Sequence, residues 1–403
     1  MKDSSANVRA SKDSIRAVAL RFVVMIGVVS FFADMTYEGA RSIGGPYLAV
    51  LGASATAVGI IAGFGELVGY GLRLVSGRLS DRTGEYWPIT LFGYFIQMLS
   101  VPLLALAGRW EVAAFLIVVE RTGKAIRNPP RDVMLSHATK EIGHGWGFGL
   151  HEALDQFGAL VGPLVVAAVL AARGEYRIAF AALLVPAILT LVLITTARFL
   201  YPRPRDLEAD PPNVETQELP RTYWIYMVGA ALVAAGFADF SLVSYHFETA
   251  ATVPNTWIPI FYAIAMAVSG VGSLVFGRLF DRWGIGVLIP LTILSSLFAP
   301  LVFLGGFSVA LVGMALWGLG MGVHESIMAA AVASMVPTNR RGSAYGIFNT
   351  GYGLFWFVGS ALMGILYDVS LTALIAFSVV VELAAIPVFI AVSRRYRTPT
   401  ANA

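Results

Sequence analysis

The sequence predicts an all-α integral membrane protein with twelve transmembrane helices, arranged as two pseudo-symmetric six-helix bundles. Three observations carry that prediction: a composition too apolar for a soluble exterior, twelve apolar runs of membrane-crossing length, and short motifs that recur in both halves of the chain. Of 403 residues, 57% are hydrophobic and 13% charged, and the mean hydropathy is +0.73. A soluble chain needs a polar surface and cannot hide that much apolar area in one core. The absence of cysteine excludes disulfides, thiol catalysis and cysteine-based metal sites. The net charge of +3 is small and its basic residues are scattered at helix ends, which gives nucleic-acid binding no support.

Crossing ~30 Å of hydrocarbon takes about 20 residues of helix. Runs of that kind fall near residues 20–46, 55–78, 86–107, 111–136, 144–171, 177–200, 222–247, 255–279, 284–304, 307–336, 342–366 and 369–393. Residues 1–19 are polar and basic, with no cleavable apolar stretch, and read as a cytoplasmic tail. Lys and Arg then gather on one side, as at Arg78, Arg82, Lys140, Arg203, Arg278, Arg341 and Arg394. The other side holds only Arg109, Arg173 and Arg177. The positive-inside rule therefore predicts that both termini are cytoplasmic, and the expected location is the plasma (inner) membrane, as a multi-pass protein. The stretch YPRPRDLEADPPNVETQELP, 201–220, is a proline-rich hydrophilic linker. It separates a bundle at 20–200 from one at 221–394, with 395–403 as a C-terminal tail.

The two halves repeat one another. GRLSDRTG at 77–84 returns as GRLFDRWG at 277–284, and FADM at 32–35 returns as FADF at 237–240, which makes Asp34 and Asp239 counterparts. GFGLHEALDQFGALVG (147–162) aligns more loosely with AYGIFNTGYGLFWFVG (344–359). Paired parallel repeats of six helices are one way to build a carrier whose substrate site lies between the halves.

GRLSDRTG resembles the loop signature of the major facilitator superfamily, and so does its second copy. The matching residues are Gly77, Asp81, Arg82 and Gly84, then Gly277, Asp281, Arg282 and Gly284. The resemblance implies the major facilitator fold, transport by alternating access, and a gating contact from Asp81 to the start of the eleventh helix at 338–343. Two further motifs resemble those of proton-coupled drug antiporters. In VVERTGKA (118–125) Arg121 matches the family's key arginine, while Lys124 and Ala125 depart from it. In GALVGPLVVA (158–167) Gly158, Gly162 and Pro163 match a helix-bending antiporter motif, and the final glycine pair is absent.

Charges at membrane depth are costly, ~2.5 to 3.5 kcal/mol each on insertion scales, so they must face water or one another. Asp34, Glu38 and Arg41 stack on one helical face. Glu66, Glu120, Arg121, Lys124, Glu152, Asp155, Asp239, His324 and Glu325 complete the candidate proton-coupling and substrate set. The resemblance places spans one, four, seven and ten around a cavity, and Asp34, Arg121, Asp239 and Glu325 fall one on each. The bland alternative is internal neutralisation, by Glu120 with Lys124 at i, i+4 or by Glu66 with Arg73. The acids at depth nevertheless outnumber Arg41, Arg73, Arg121 and Lys124, so some carboxylates are candidates to carry protons. Arg121 is expected to pair with Asp34 or Glu120.

His144 and His151 share a helical face, but seven residues of helix separate them by ~10 Å, too far for one ion without other ligands. His151, Glu152 and Asp155 could hold a hard ion only with help from a neighbouring helix, so no metal or cofactor is assigned. No nucleophile elbow, phosphate loop or His-Glu-x-x-His is present, and the sequence offers no enzyme. Gly59-x-x-x-Gly63 and Gly158-x-x-x-Gly162 read as close-packing faces. Pro129 and Pro130 predict a kink or an end in span four, bringing Arg127 and Arg131 to the headgroups. Tyr37, Tyr70, Tyr245, Trp317, Tyr345 and Tyr352 are candidates to line an organic pocket. The expected activity is proton-coupled efflux of a small organic, amphipathic or cationic compound by a monomer in the lipid bilayer. The alternatives are an anionic metabolite, with Arg41, Arg121 and Lys124 as counter-charges, and a lipid or metal-ion carrier.

Overall fold

The computed structural model describes residues 2–142, 144–202, 219–323, 328–336 and 341–395, and among these residues the chain is helical with no strand. The first half contains α1 (Lys2–Val50), α2 (Ala55–Thr83), α3 (Tyr86–Leu103), α4 (Trp110–Ile142) and α5 (His144–Arg173). Its sixth crossing is shared by α6 (Tyr176–Ala182) and α7 (Leu184–Leu200). In the second half the seventh crossing is broken into α8 (Arg221–Gly236) and α9 (Phe240–Thr249), followed by α10 (Ile258–Trp283). Then come α11 (Leu288–Ser296) with α12 (Phe298–Leu304), α13 (Phe307–Gly322) with α14 (Met328–Met335), α15 (Arg341–Val369) and α16 (Leu371–Arg395). Ten of these crossings are long and apolar enough to span a membrane by themselves, and α13 is a shorter apolar helix. The twelfth is α4, whose central Glu120, Arg121, Lys124 and Arg127 need protein partners at that depth. Twelve crossings bring both chain ends to one end of the bundle.

The second glycine of each loop motif, Gly84 and Gly284, ends its helix. Gly84 takes a left-handed φ of 69° and its N–H donates to the Ser80 carbonyl at 2.8 Å, while Gly284 has φ 60°. A residue with a Cβ is strained in that conformation, so the glycine after each loop arginine is a helix stop. Asp81 and Asp281 have side chains outside the described set, as does the 337–340 approach to α15, so the expected gating contact lies outside the described residues.

One expectation is corrected. Pro129 and Pro130 lie inside α4, which continues to Ile142. Arg127 and Arg131 are accordingly 0% and 7% exposed and sit in the protein interior, not at the headgroups. Their tertiary partners, described below, hold the helix through the prolines. The helix that carries the first span begins in the polar N-terminal segment, at Lys2.

The halves meet along α1 against α9, α2 against α15 and α5 against α10. At the end far from the termini this contact is close, because small residues let backbones touch. A methyl group on Gly59 would lie 3.0 Å from the Gly364 Cα, and one on Gly63 would lie 2.9 Å from the Phe357 Cα. Asp368, in the last turn of α15, accepts hydrogen bonds from Ala55 N (3.3 Å), Thr56 N (2.9 Å) and Thr56 Oγ1 (2.6 Å) at the start of α2. An anion there meets the exposed N–H groups and positive end of the helix. The Tyr245 hydroxyl donates to the Ala53 carbonyl at 3.2 Å, and Tyr176 donates to Glu248 across the same seam. Within the first half, Gly158 and Gly162 pack on the Phe31 and Met35 carbonyls of α1, as the small-residue spacing predicts.

Candidate functional site

A cavity of about 350 Å³ lies between the halves and extends from mid-depth toward the end that carries the termini. Its first-half wall comes from α1, α2, α4 and α5, and its second-half wall from α10, α13 and α15. Asp34, Glu38, Arg41, Glu66, Arg121, Lys124, Glu152 and Asp155 all line it, so the structure brings most of the predicted set together. Arg73, Arg127 and Arg131 line it as well. Among the described residues its six cations face five carboxylates, so the acidic excess counted along the sequence does not appear on this part of the wall.

Arg41 is the junction between the halves. Its Nη2 lies 3.1 Å from Asp239 Oδ2 in the second half and 3.4 Å from Glu66 Oε1 in the first. Asp239 is 2% exposed and sits behind the cavity wall rather than on it. It restarts the seventh crossing after the break at 237–238, accepting from Ser241 N at 2.8 Å as the N-cap of α9. Trp317 steadies the break by donating Nε1–H to the Ala238 carbonyl at 2.8 Å. One turn before Arg41, Glu38 makes the second crossing contact, accepting from the Tyr262 hydroxyl of α10.

From Arg41 the polar network runs into the first half. Glu66 Oε1 also receives Arg121 Nη2 at 3.3 Å, and Arg121 Nε lies 3.5 Å from Glu120 Oε2. Gln97 of α3, 0% exposed, donates to Glu120 Oε1 at 2.7 Å and accepts from Arg127 Nε. Arg127 donates to the Tyr94 hydroxyl at 3.1 Å and reaches to within 4.0 Å of Asp34 Oδ1. Arg131 holds Asp132 Oδ1 at 2.8 Å and Ser30 Oγ at 3.2 Å.

Two expected pairings are therefore replaced. Glu120 is engaged by Arg121 and Gln97, not by Lys124, and Glu66 by Arg41 and Arg121, not by Arg73. Glu66 is reached by guanidinium groups from α1 and α4, whereas Glu120 pairs with Arg121 on its own helix and takes its cross-helix partner from the Gln97 amide of α3. The expected pairing of Arg121 with Glu120 is present. Lys124 instead donates to the Tyr37 hydroxyl at 2.7 Å and lies 3.9 Å from that ring's centre. Arg73 stacks over Tyr70 at 5.1 Å.

Near the terminus-bearing end, ligand atoms of His151, Glu152 and Asp155 lie within 4.8 Å of one another. Ser30 occupies His151 Nε2 at 2.9 Å, Asp155 Oδ2 lies 3.6 Å from Nδ1, and Arg131 binds the same Ser30. A fixed guanidinium beside the cluster opposes a second cation, so these residues carry no metal assignment. His324 and Glu325, the tenth-crossing candidates, lie outside the described residues, as does the His144 side chain. Of the aromatic candidates Tyr37, Tyr70 and Tyr352 line the cavity. Trp317 belongs to the second-half core and Tyr245 to the far seam.

Sequence reasoning missed Gln97, Tyr94 and Tyr262. An amide alone in the apolar third span was a readable signal for Gln97, since it needs partners in hydrocarbon. Nothing in the sequence distinguishes Tyr262 from other span tyrosines.

The model of the Major Facilitator Superfamily matches residues 24–360 and 262–402. An uncharacterized protein of Mycobacterium tuberculosis is 40% identical over 381 residues, 93% of each chain. An uncharacterized transporter of the superfamily from Methanocaldococcus jannaschii is 25% identical over 392 residues, covering 92% of this chain and 94% of that one. The crystal structure of the peptide transporter POT in complex with sulfate superposes with a TM-score of 0.73 at 15% identity, over 92% of this chain and 93% of that one, a likeness of fold. With its family-model match, its spans and its paired halves, this chain belongs to the major facilitator superfamily and is a multi-pass membrane transporter of a small molecule.

Proposed function

We propose that the protein is a secondary transporter that exchanges a small organic solute for protons, exporting the solute by opening its cavity alternately to the two membrane faces. The observation that supports this reading is the position of Arg41 between Asp239 of the second half and Glu66 of the first. A proton on either carboxylate removes one of the two counter-charges that hold Arg41, and with Asp239 it removes an ionic contact between the halves. The residues Gly158, Gly162 and Pro163 add the partial antiporter motif on α5. In this reading the bundles at 20–200 and 221–394 rock as units, the termini are cytoplasmic in the plasma membrane, and one chain suffices.

A second reading concerns the solute. Among the described residues, six cations against five carboxylates on the cavity wall favour an anionic solute over the cationic one suggested by the sequence.

Both are tested in proteoliposomes loaded with a pH-sensitive dye and offered cationic, neutral and anionic organic solutes. The reading expects one class to drive proton movement in the opposite direction and an imposed pH gradient to accumulate it. Solute flux that ignores the gradient would remove proton coupling from the account.

A further inference from the structure

We infer that Arg73 and Lys124 form the anion-binding part of the substrate site, and that the solute is an organic anion with a flat aromatic body. The inference rests on the cavity being the substrate site, as proposed above.

The argument starts from what each cavity cation touches. Arg41, Arg121, Arg127 and Arg131 each have a carboxylate within ion-pair distance. Among the described residues, Arg73 and Lys124 have none. Each is held instead on a tyrosine ring, Lys124 on Tyr37 at 3.9 Å and Arg73 on Tyr70 at 5.1 Å. A ring face orients a cation without cancelling its charge. The Arg73 Nε, buried in the wall, makes no hydrogen bond. A buried donor of that kind is costly unless something arrives to accept from it.

The two cations are also neighbours by construction of the fold. Ser76, three residues after Arg73 on α2, donates to the carbonyl of Ala125, the residue after Lys124 on α4, at 2.8 Å. They therefore belong to adjoining stretches of one wall. A carboxylate takes paired N–H donors from a guanidinium and a point charge from an ammonium.

The opposite wall supplies the second part of the specificity. Phe348, Tyr352 and Trp356 recur every four residues on α15 and all line the cavity. Adjacent rings in this stripe are 5.6 and 5.7 Å apart, and Tyr70 lies edge-on to Tyr352 at 6.0 Å. The stripe meets the Arg73 platform through Tyr70, so a ring against it can carry its anionic group toward Arg73. A cavity of about 350 Å³ is at the small end of ligand sites.

The test is equilibrium binding to the purified full chain in detergent, by calorimetry, with benzoate, phenyl phosphate, benzamide and benzylammonium as probes. The two anions are expected to bind ahead of the neutral and cationic probes. Arg73→Gln and Lys124→Gln should each weaken benzoate by about tenfold, and Arg73→Lys should weaken it less. An order led by benzamide or benzylammonium overturns the inference, as does benzoate binding unchanged in both glutamine variants. The order in the wild-type protein decides the matter even if a variant does not fold. Because no gradient is applied, loss of proton coupling in liposomes leaves this result standing. Loss of the anion preference with coupled flux retained overturns this inference alone.

Discussion

The two halves share a plan and have diverged in chemistry. All charged residues that line the cavity, among those described, come from α1, α2, α4 and α5. The described second-half lining is Met266, Met321, Phe348, Asn349, Tyr352 and Trp356. The counterparts Asp34 and Asp239 mark the divergence. Asp34 remains on the cavity wall beside Arg127, whereas Asp239 has become the cap of α9 and the partner of Arg41. A duplicated bundle can thus keep its helices and still assign charge to one wall and aromatic surface to the other. Among the described residues, Arg41 and Glu38, the two charges in FFADMTYEGAR that have no counterpart in the second half, make charged contacts across the halves at depth.

The strongest way to break this comparison is to remove the junction. Arg41→Ala leaves Asp239 buried without its cation and should cost about 3–5 kcal/mol, read as a lower unfolding midpoint of the purified protein. Combining it with Asp239→Asn should recover much of that loss, because the stranded charge is gone. If the single variant unfolds like wild type, Arg41 is not what binds the halves.

The next effects compare the two ends of one helix. Gly59→Val should cost about 1–3 kcal/mol through overpacking, since its side chain would enter the α15 backbone near Gly364. Asp368→Asn, which removes the charge from the cap on α2, should cost about 1 kcal/mol. The smallest effect belongs to the cavity end of the same helix. Nothing lies within 4 Å of a methyl group on Gly69, so Gly69→Ala should be neutral or stabilising by about 0.5–1 kcal/mol. A series of unfolding midpoints checks all three, and equal losses at Gly59 and Gly69 would erase the difference between the ends.

The helices, their number and the repeat that relates the two halves were legible because hydrocarbon demands long apolar runs and the loop motif is repeated. Gly59 and Gly63, or Gly158 and Gly162, could be read as contact faces because helix spacing fixes which residues share a side. The partners of the buried charges could not be read. Glu120 and Lys124 have an ideal spacing for an ion pair, yet Gln97 on another helix takes Glu120 and Tyr37 takes Lys124. Spacing along one helix ranks local partners only, and in a bundle the nearest guanidinium often arrives from a neighbour. Pro129 and Pro130 misled for the same reason, since the contacts of Arg127 and Arg131 outweigh the local break.

The proposed coupling through Asp239 is tested most directly in proteoliposomes that report proton movement when a transported solute is added. Asp239→Asn keeps the side chain's shape and its capping oxygen but removes the ionisable group that faces Arg41. The account predicts that the variant still binds solute while solute-driven proton movement is lost. Proton movement per solute equal to that of the wild-type protein would contradict it.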